Sequence, residues 1–488
     1  MKMSKGLSKS RVMANMQCAR RLWLQVYKPE LAESDGGVNK RLNIGTEVGI
    51  LAQGLYPDGC LVTVDDLGKG LSETESLLAQ TRKPLFEAAF KSEGILVLAD
   101  LLLREKNGWR MVEVKSSASV KPYHVTDASI QSWVVKKAGL ELNSTEIAHI
   151  DTSFIYPGGN DYNGLFYYED ISNEVGVNLS SVEDWIGEAK RTLSGEEPDI
   201  QPGNQCSKPF DCPFYSFCAS DEPEQEEYPV EILPYHGKLA AELREEGYND
   251  IREIPAGRLS KPKHLRVWEA TKNDSLILTE TGRNEVRALG YPRYYIDFET
   301  VQLAIPVWKG TRPYSQIPFQ WSCHIEYEDG SIEHHEYLAD GQGDPRRPFI
   351  DSLLSVIRSE GPVIVYHAGF ERTRLKELAE YYRELSPGID SVIERIFDLL
   401  PVAREHYYHP QMKGSWSIKA VLPTIAPELA YDDLEIANGG MAMEAFAEMM
   451  TLNITDERHA ELYEGLLKYC ERDTWAMVAI AHYFEGKT

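Results

Sequence analysis

The residues of this sequence most suited to chemistry are acids placed where a strand would prefer apolar side chains. In YYIDFET, residues 294–300, Asp297 and Glu299 are one residue apart. Successive strand side chains point to opposite faces, so the two acids share a face while Ile296 and Phe298 take the other. Two like charges side by side cost free energy unless a cation lies between them. Phosphoryl-transfer enzymes use this arrangement: two divalent ions about 3.5 to 4 Å apart, bridged by carboxylates, clamp the attacking and leaving oxygens. A lone Asp-x-Glu more often marks a solvated edge strand, so the metal reading needs other groups to converge on it. Two later segments offer them. GPVIVYHAGFERTRLKELAEYY runs from a buried strand into a helix, with His367, Phe370 and Glu371 at the junction. LLKYCERDTWAMVAIAHYF reads as a helix in which Tyr469 and Asp473, four residues apart, share one face.

A second set lies upstream. GILVLADLLLREKNGWRMVEVKSSASV, residues 94–120, reads as a hairpin: a β-rich run ending at Asp100, a polar turn REKNG, and a strand bearing Glu113 and Lys115. Alternation puts Glu113 and Lys115 on one face, where Asp100 can meet them across the hairpin. Two acids holding a divalent cation, with a lysine steadying the attacking water or the scissile phosphate, form a hydrolytic set; a surface salt bridge is the alternative for the tripeptide alone. HVTDASIQSWVVKKAGL places Gln131 on the following helix, and LNIGTEVGILAQGLYPDG offers Glu47 on an early one. Three of the seven cysteines, Cys206, Cys212 and Cys218, are evenly spaced in CSKPFDCPFYSFC, and Cys18 stands far upstream. The Cys-x2-Cys knuckles usual in zinc modules are missing from this sequence. Cys60, Cys323 and Cys470 read as buried thiols.

The elements that must carry these groups fall into three stretches. Two polar, proline-bearing segments, SGEEPDIQPGNQ and DEPEQEEYP, flank the cysteine triplet, and the second reads as a linker. The expected division is residues 1–221, a helical connector over 222–283, and residues 284–488. Past residue 294 the strands YYIDFE, FQWSCHIEY, HHEYL and PVIVYH, followed by helices, indicate a mixed sheet flanked by helices, so the fold class is α/β. A chain of 488 residues with 42% hydrophobic and 26% charged residues is that of an ordinary globular protein. It has no apolar run long enough for a membrane span, and the basic N-terminus lacks the apolar core of a secretion signal, so a cytoplasmic location with no membrane partner is expected. Net charge is −25, yet residues 1–28 hold seven Lys or Arg and no acid. That tract is either a solvated arm or a local contact for phosphates.

The series Asp-x-Glu, then an acid at a strand-to-helix junction after Phe, then Tyr-x-x-x-Asp resembles the DnaQ-like (DEDD) 3′ to 5′ exonucleases of the ribonuclease H-like fold, in their tyrosine variant, over roughly the last two hundred residues. The resemblance implies that Asp297, Glu299 and Asp473 ligate Mg²⁺ or Mn²⁺, that Glu371 supports the second ion, and that Tyr469 orients the attacking water. Glu371 stands where the family usually has Asp, and His367 where it usually has Asn. FDLLPVAREHYYHPQMKGSWSIKAVLPTIAPELAYDDLEIANGGMA resembles a C-terminal domain of unknown function appended to RecB-like nucleases; its Trp416 and Lys419 read as packing and surface residues, with substrate contact the alternative. A distant first cysteine closing on a C-terminal triplet is similar to the iron-sulfur clasp of RecB-type PD-(D/E)xK nucleases, over about the first 220 residues. This implies a restriction-endonuclease-like domain in which Asp100 and Glu113 bind Mg²⁺ or Mn²⁺, Lys115 is catalytic and Gln131 helps place the substrate. Cys18, Cys206, Cys212 and Cys218 would hold a [4Fe-4S] cluster. Gly49 occupies the slot where that family often has a metal-binding His, and Glu47 is the residue that could substitute. The expectation is a two-nuclease chain acting on nucleic acid, DNA favoured over RNA. Its rivals are a nucleic-acid-binding protein with one or both sites inactive and an RNA-processing exonuclease.

Overall fold

The structure is a computed structural model describing residues 7–33, 36–63, 65–220, 226–451 and 454–487. Residues 1–6 of the basic tract and 221–225 of the linker lie outside the described residues. The chain is mixed α/β and divides into two compact units, Met1–Pro223 with Leu303–Tyr314, and Glu224–Gln302 with Ser315–Thr488.

In the first unit, helices α1 (Lys9–Gln17), α2 (Ala19–Tyr27) and α3 (Gly36–Gly54) precede the strands β1 (Leu85–Ser92), β2 (Ile95–Glu105) and β3 (Gly108–Lys115). Helix α4 (Pro122–Lys137), strands β4 (Leu142–Ile150) and β5 (Phe166–Asp170) and helix α5 (Ser172–Ser194) follow. The strands lie in the order β1-β2-β3-β4-β5 with two-residue strands at the margins. Among these five strands the neighbours are antiparallel except β3 and β4, whose parallel pairing is permitted by the α4 crossover; the two-residue strands pair in parallel. Val97, Ala99 and Met111 of the sheet, Ile130 and Val134 of α4, and Val182 and Ile186 of α5 form one core. The first hairpin arm does not end at Asp100. The apolar run Leu101–Leu103 carries β2 on to Glu105, and its ladder with β3 runs from Leu101↔Val112 to Glu105↔Gly108. At Asp100 the backbone ladder stops, and the carboxylate Oδ2 itself accepts the Val114 N–H at 2.7 Å.

In the second unit, β6 (Arg293–Gln302), β7 (Gln316–Glu326), β8 (Ile332–Leu338), β9 (Val363–Val365) and β10 (Ile396–Asp398) form a sheet in the order β8-β7-β6-β9-β10. Strand β7 is antiparallel to both its neighbours, whereas β9 runs parallel to β6 and β10. One face is covered by α6 (Arg346–Val356) and α7 (Gly369–Tyr381): Phe349, Leu353, Leu375 and Leu378 pack on Tyr294, Ile296 and Phe298. Tyr295 faces the other way, into a core with Met477, Ile480 and Phe484 of the 30-residue helix α9 (Asp456–Glu485) and residues of α8 (Leu399–His406). Each such fully buried apolar side chain contributes about 1.5 to 3 kcal/mol. Alternation therefore aims Asp297 and Glu299 at the α9 side of the sheet. Residues 230–286 do not form a separate layer: Leu243, Ile254 and Val267 share the α9 core. Among the described residues no helix is long and apolar enough to cross a membrane.

Candidate metal centres

In the second unit the acids of β6 and the last helix meet. Carboxylate oxygens of Asp297, Glu299 and Asp473 all lie within 4.8 Å of one another. They line a cavity of about 300 Å³ with Tyr366, His367, Phe370, Glu371, Lys419 and Tyr469. Two local features aim these groups. The β6–β7 register shifts between Pro318 and Gln320, leaving Phe319 as an extra residue beside Glu299, and Phe319 stacks on Phe446 with centroids 3.9 Å apart. Asp398, at the end of β10, accepts the His367 and Ala368 N–H groups at 2.9 Å each and caps α8 through the Leu400 N–H at 3.0 Å. His367 is left-handed (φ 81°), and Asp398 holds the strained turn from which α7 presents Glu371.

The electrostatics of this cavity are those of crowded acids. Burial, then the charges of Asp473 and Glu299, push Asp297 well above the usual carboxylate range. Burial and Asp473 raise Glu299 to about 8 against the opposing charge of Lys419. Burial raises Asp473 to about 6, restrained by the hydrogen bond donated by the Tyr431 hydroxyl. Burial likewise lifts Glu371 to about 8, and its buried Oε2 has no hydrogen-bond partner. Crowded, desolvated carboxylates with an orphaned oxygen among them are what a divalent cation relieves. The residues present therefore fit Mg²⁺ or Mn²⁺, hard ions that take oxygen ligands.

Lys419 is not a surface residue. It is half-buried, lines the cavity, donates to the Ala437 carbonyl and lies over the rings of Tyr431 and Tyr469, 4.9 and 5.2 Å from their centroids. Trp416 is packing: it is 6% exposed and its indole N–H donates to the Tyr407 carbonyl at 2.8 Å.

In the first unit Asp100, Glu113, Lys115 and Gln131 also converge. Lys115 Nζ lies 2.7 Å from Glu113 Oε1 and 2.8 Å from Asp127 Oδ2, and Gln131 Nε2 donates to Glu113 Oε2 at 2.6 Å. Three further residues, Asp127, Lys9 and Glu87, belong here. Lys9 of α1 pairs with Glu113 at 3.1 Å and Asp127 at 3.0 Å. Glu87 stands opposite Asp100, between the pairs Phe86↔Leu101 and Ala88↔Ala99, in a left-handed conformation (φ 54°). Burial would raise Glu113, but Lys115 and Lys9 outweigh it and hold this carboxyl below the usual range. Burial also disfavours the Lys115 ammonium, yet Glu113 and Asp127 raise its pKa, so it stays protonated. Asp100 is pushed well above its usual range by burial and by Glu113. Glu47 is exposed on α3 and, among the described contacts, makes no hydrogen bond or ion pair with this cluster, while its neighbour Val48 is fully buried. A Cβ on Gly49 would meet nothing within 4 Å, so packing does not require glycine there.

Cys18, Cys206, Cys212 and Cys218 line one enclosed cavity of about 10 Å³, together with Arg20 and Arg21. Cys18 is the joint between α1 and α2, and the Cys212 N–H donates to the Cys206 carbonyl at 2.7 Å. Gln17 stitches the two parts of the chain, donating to the carbonyls of Gln205 and Phe210 at 2.7 and 2.6 Å. An all-sulfur donor set with no acid or histidine in its lining fits a thiolate-bound cluster. Of the remaining cysteines, Cys323 and Cys470 are buried and Cys60 is half-buried.

Residues 294–417 match a family described as Domain of unknown function (DUF2779). An uncharacterized protein of Ureaplasma parvum is 25% identical over 280 residues, which cover 52% of this chain and 40% of that protein. Uncharacterized proteins of Mycoplasma pneumoniae and Mycoplasma genitalium are each 25% identical, over 261 and 241 residues; the matches cover 47% and 45% of this chain and 39% and 36% of those proteins. The chain thus spans well under half the length of the curated relatives it matches. No solved structure matches it.

Proposed function

We propose that the chain is a metal-dependent nuclease with two sites, each hydrolysing phosphodiester bonds of nucleic acid, DNA favoured over RNA. The observation that carries this reading is the convergence of Asp297, Glu299 and Asp473, from a central strand and the last helix, within 4.8 Å in an open cavity. A mixed five-stranded sheet with acids on β6 and on the covering helix supports a ribonuclease H-like fold and a DEDD-type 3′ to 5′ exonuclease. The β2–β3 hairpin with its α4 crossover supports a RecB-like PD-(D/E)xK domain.

Asp297, Glu299 and Asp473 would hold Mg²⁺ or Mn²⁺, with Glu371 supporting; such ions polarise the phosphoryl group and supply a nucleophile from water at neutral pH. Tyr469 is 4% exposed, and burial with the Asp473 charge raises its pKa far above neutrality. Its hydroxyl therefore keeps its proton and orients a water by hydrogen bonding instead of acting as a base. Lys419 brings a positive charge to the same cavity, suited to a non-bridging phosphate oxygen. In the first unit Asp100 and Glu113, with Glu87 beside them, would hold one divalent ion. Lys115, locked as an ammonium, serves as a point charge for the scissile phosphate, and Gln131 orients Glu113. Cys18, Cys206, Cys212 and Cys218 would hold a [4Fe-4S] cluster, whose contribution is to tie the start of the unit to its end.

The test is cleavage of end-labelled single-stranded DNA, duplex DNA and RNA by anaerobically purified protein with Mn²⁺. Asp297→Ala should remove one product pattern and Lys115→Ala the other; loss of the same products in both variants would refute two independent sites.

A further inference from the structure

Outside these centres, the second unit brings two histidines and an acid together at the outer strands of its sheet. His324 of β7 and His334 of β8 are directly paired in register, and their rings stack with centroids 4.5 Å apart and an interplanar angle of 27°. A chain of hydroxyls fixes both rings. His334 Nε2 meets Ser322 Oγ at 2.9 Å, Ser322 Oγ meets Thr474 Oγ1 at 2.8 Å, and Thr474 Oγ1 meets His324 Nδ1 at 2.8 Å. Each ring thus gives one nitrogen to a hydroxyl and keeps the other. His334 Nδ1 lies 3.8 Å from Glu471 Oε1 on α9, and one donor atom from each of His324, His334 and Glu471 falls within 4.8 Å of the others. Glu336, two residues along β8 from His334, lies on the same strand face.

We propose that His324, His334 and Glu471 form a binding site for a borderline-soft transition-metal ion of the Zn²⁺ class, which fastens the last helix to the outer strands β7 and β8. The donor chemistry separates this site from the acidic cavity: imidazole nitrogens select Zn²⁺ and its neighbours, whereas the all-carboxylate set suits Mg²⁺ and Mn²⁺. A hydrogen bond that holds one nitrogen of each ring is the outer-shell arrangement that orients metal-binding histidines. Three protein ligands satisfy the usual minimum for a zinc site and leave a position for water or for Glu336. The site stands independently of the nuclease reading. Its consequence for the fold is local: Glu471 and Thr474 flank Asp473, so an ion here anchors the turn of α9 that carries this acid.

The test uses the full chain, purified anaerobically with its iron retained, in excess Mg²⁺ so that the carboxylate sites are filled. Titration with Zn²⁺ should show one tightly bound equivalent. Titration with Co²⁺ should give ligand-field absorption without thiolate-to-cobalt charge transfer, which excludes the cysteines. His334→Ala and Glu471→Gln should each weaken binding by more than about 100-fold, beyond the loss that an outer-shell partner causes. Asp297→Asn should bind as the wild type does. The Glu471 side chain is 50% exposed, so its conservative replacement leaves the core untouched and keeps the test valid if His334→Ala misfolds. Failure of the wild type to take up a Zn²⁺ equivalent, a Co²⁺ spectrum with thiolate bands alone, or unchanged affinity in Glu471→Gln would overturn the proposal.

Discussion

Glu299→Gln should flatten the pH dependence of stability of the metal-free second unit. Glu299 is 8% exposed, and its carboxyl titrates near 8 in the fold against 4.5 as the ordinary value. Between those limits the native state holds a proton that the unfolded chain has lost, so stability falls as pH rises. The slope is about 1.4 kcal/mol per pH unit, which amounts to roughly 2 to 3 kcal/mol lost between pH 6 and 8. Glutamine carries no such proton, so the variant should lose that much less over the same interval. Mn²⁺ acts with the opposite sign: it binds the ionised carboxylates, so the stabilisation it confers should grow with pH across this window and shrink in the variant. Urea unfolding followed by tryptophan fluorescence, in EDTA and in Mn²⁺ at a series of pH values, measures both effects. Parallel wild-type and variant curves between pH 6 and 8, with an equal Mn²⁺ effect, would refute the assignment of Glu299 to a crowded metal-binding cluster.

Lys419→Met removes the cation that opposes the upward shifts of Glu299 and Asp473, so the pH at which Mn²⁺ begins to raise the melting temperature should move upward. Asp398→Ala strips three backbone N–H groups of their acceptor and should cost about 2 to 4 kcal/mol in urea unfolding while weakening Mn²⁺ binding through the turn that presents Glu371. Cys212→Ser should lose protein-bound iron, read by visible absorbance and metal analysis, and lower the melting temperature of the first unit; retention of both would remove Cys212 from the cluster.

What was legible in the sequence followed local periodicity. Period two placed Asp297 with Glu299 and Glu113 with Lys115, and the four-residue spacing on a helix placed Tyr469 with Asp473. The same spacing joins Asp127, the partner of Lys115, to Gln131. The end of β2 lies past the acid at position 100 because the apolar run Leu101–Leu103 continues the strand to Glu105. Lys9, Glu87, Asp398, Lys419 and Tyr431 left no local trace. Each reaches its site by tertiary packing from a distant element, and charge or aromaticity alone does not distinguish such residues from surface ones. The pairing of His324 with His334 depends on the β7–β8 register, which only the folded hairpin fixes.

The most direct measurement follows 5′-labelled single-stranded DNA through time with wild-type protein and Mn²⁺, beside Asp473→Asn. Products shortening one nucleotide at a time from the 3′ end, present in the wild type and absent from the variant, are the result expected of the carboxylate centre. A strand left intact by the wild type, or the same ladder from Asp473→Asn, would contradict it.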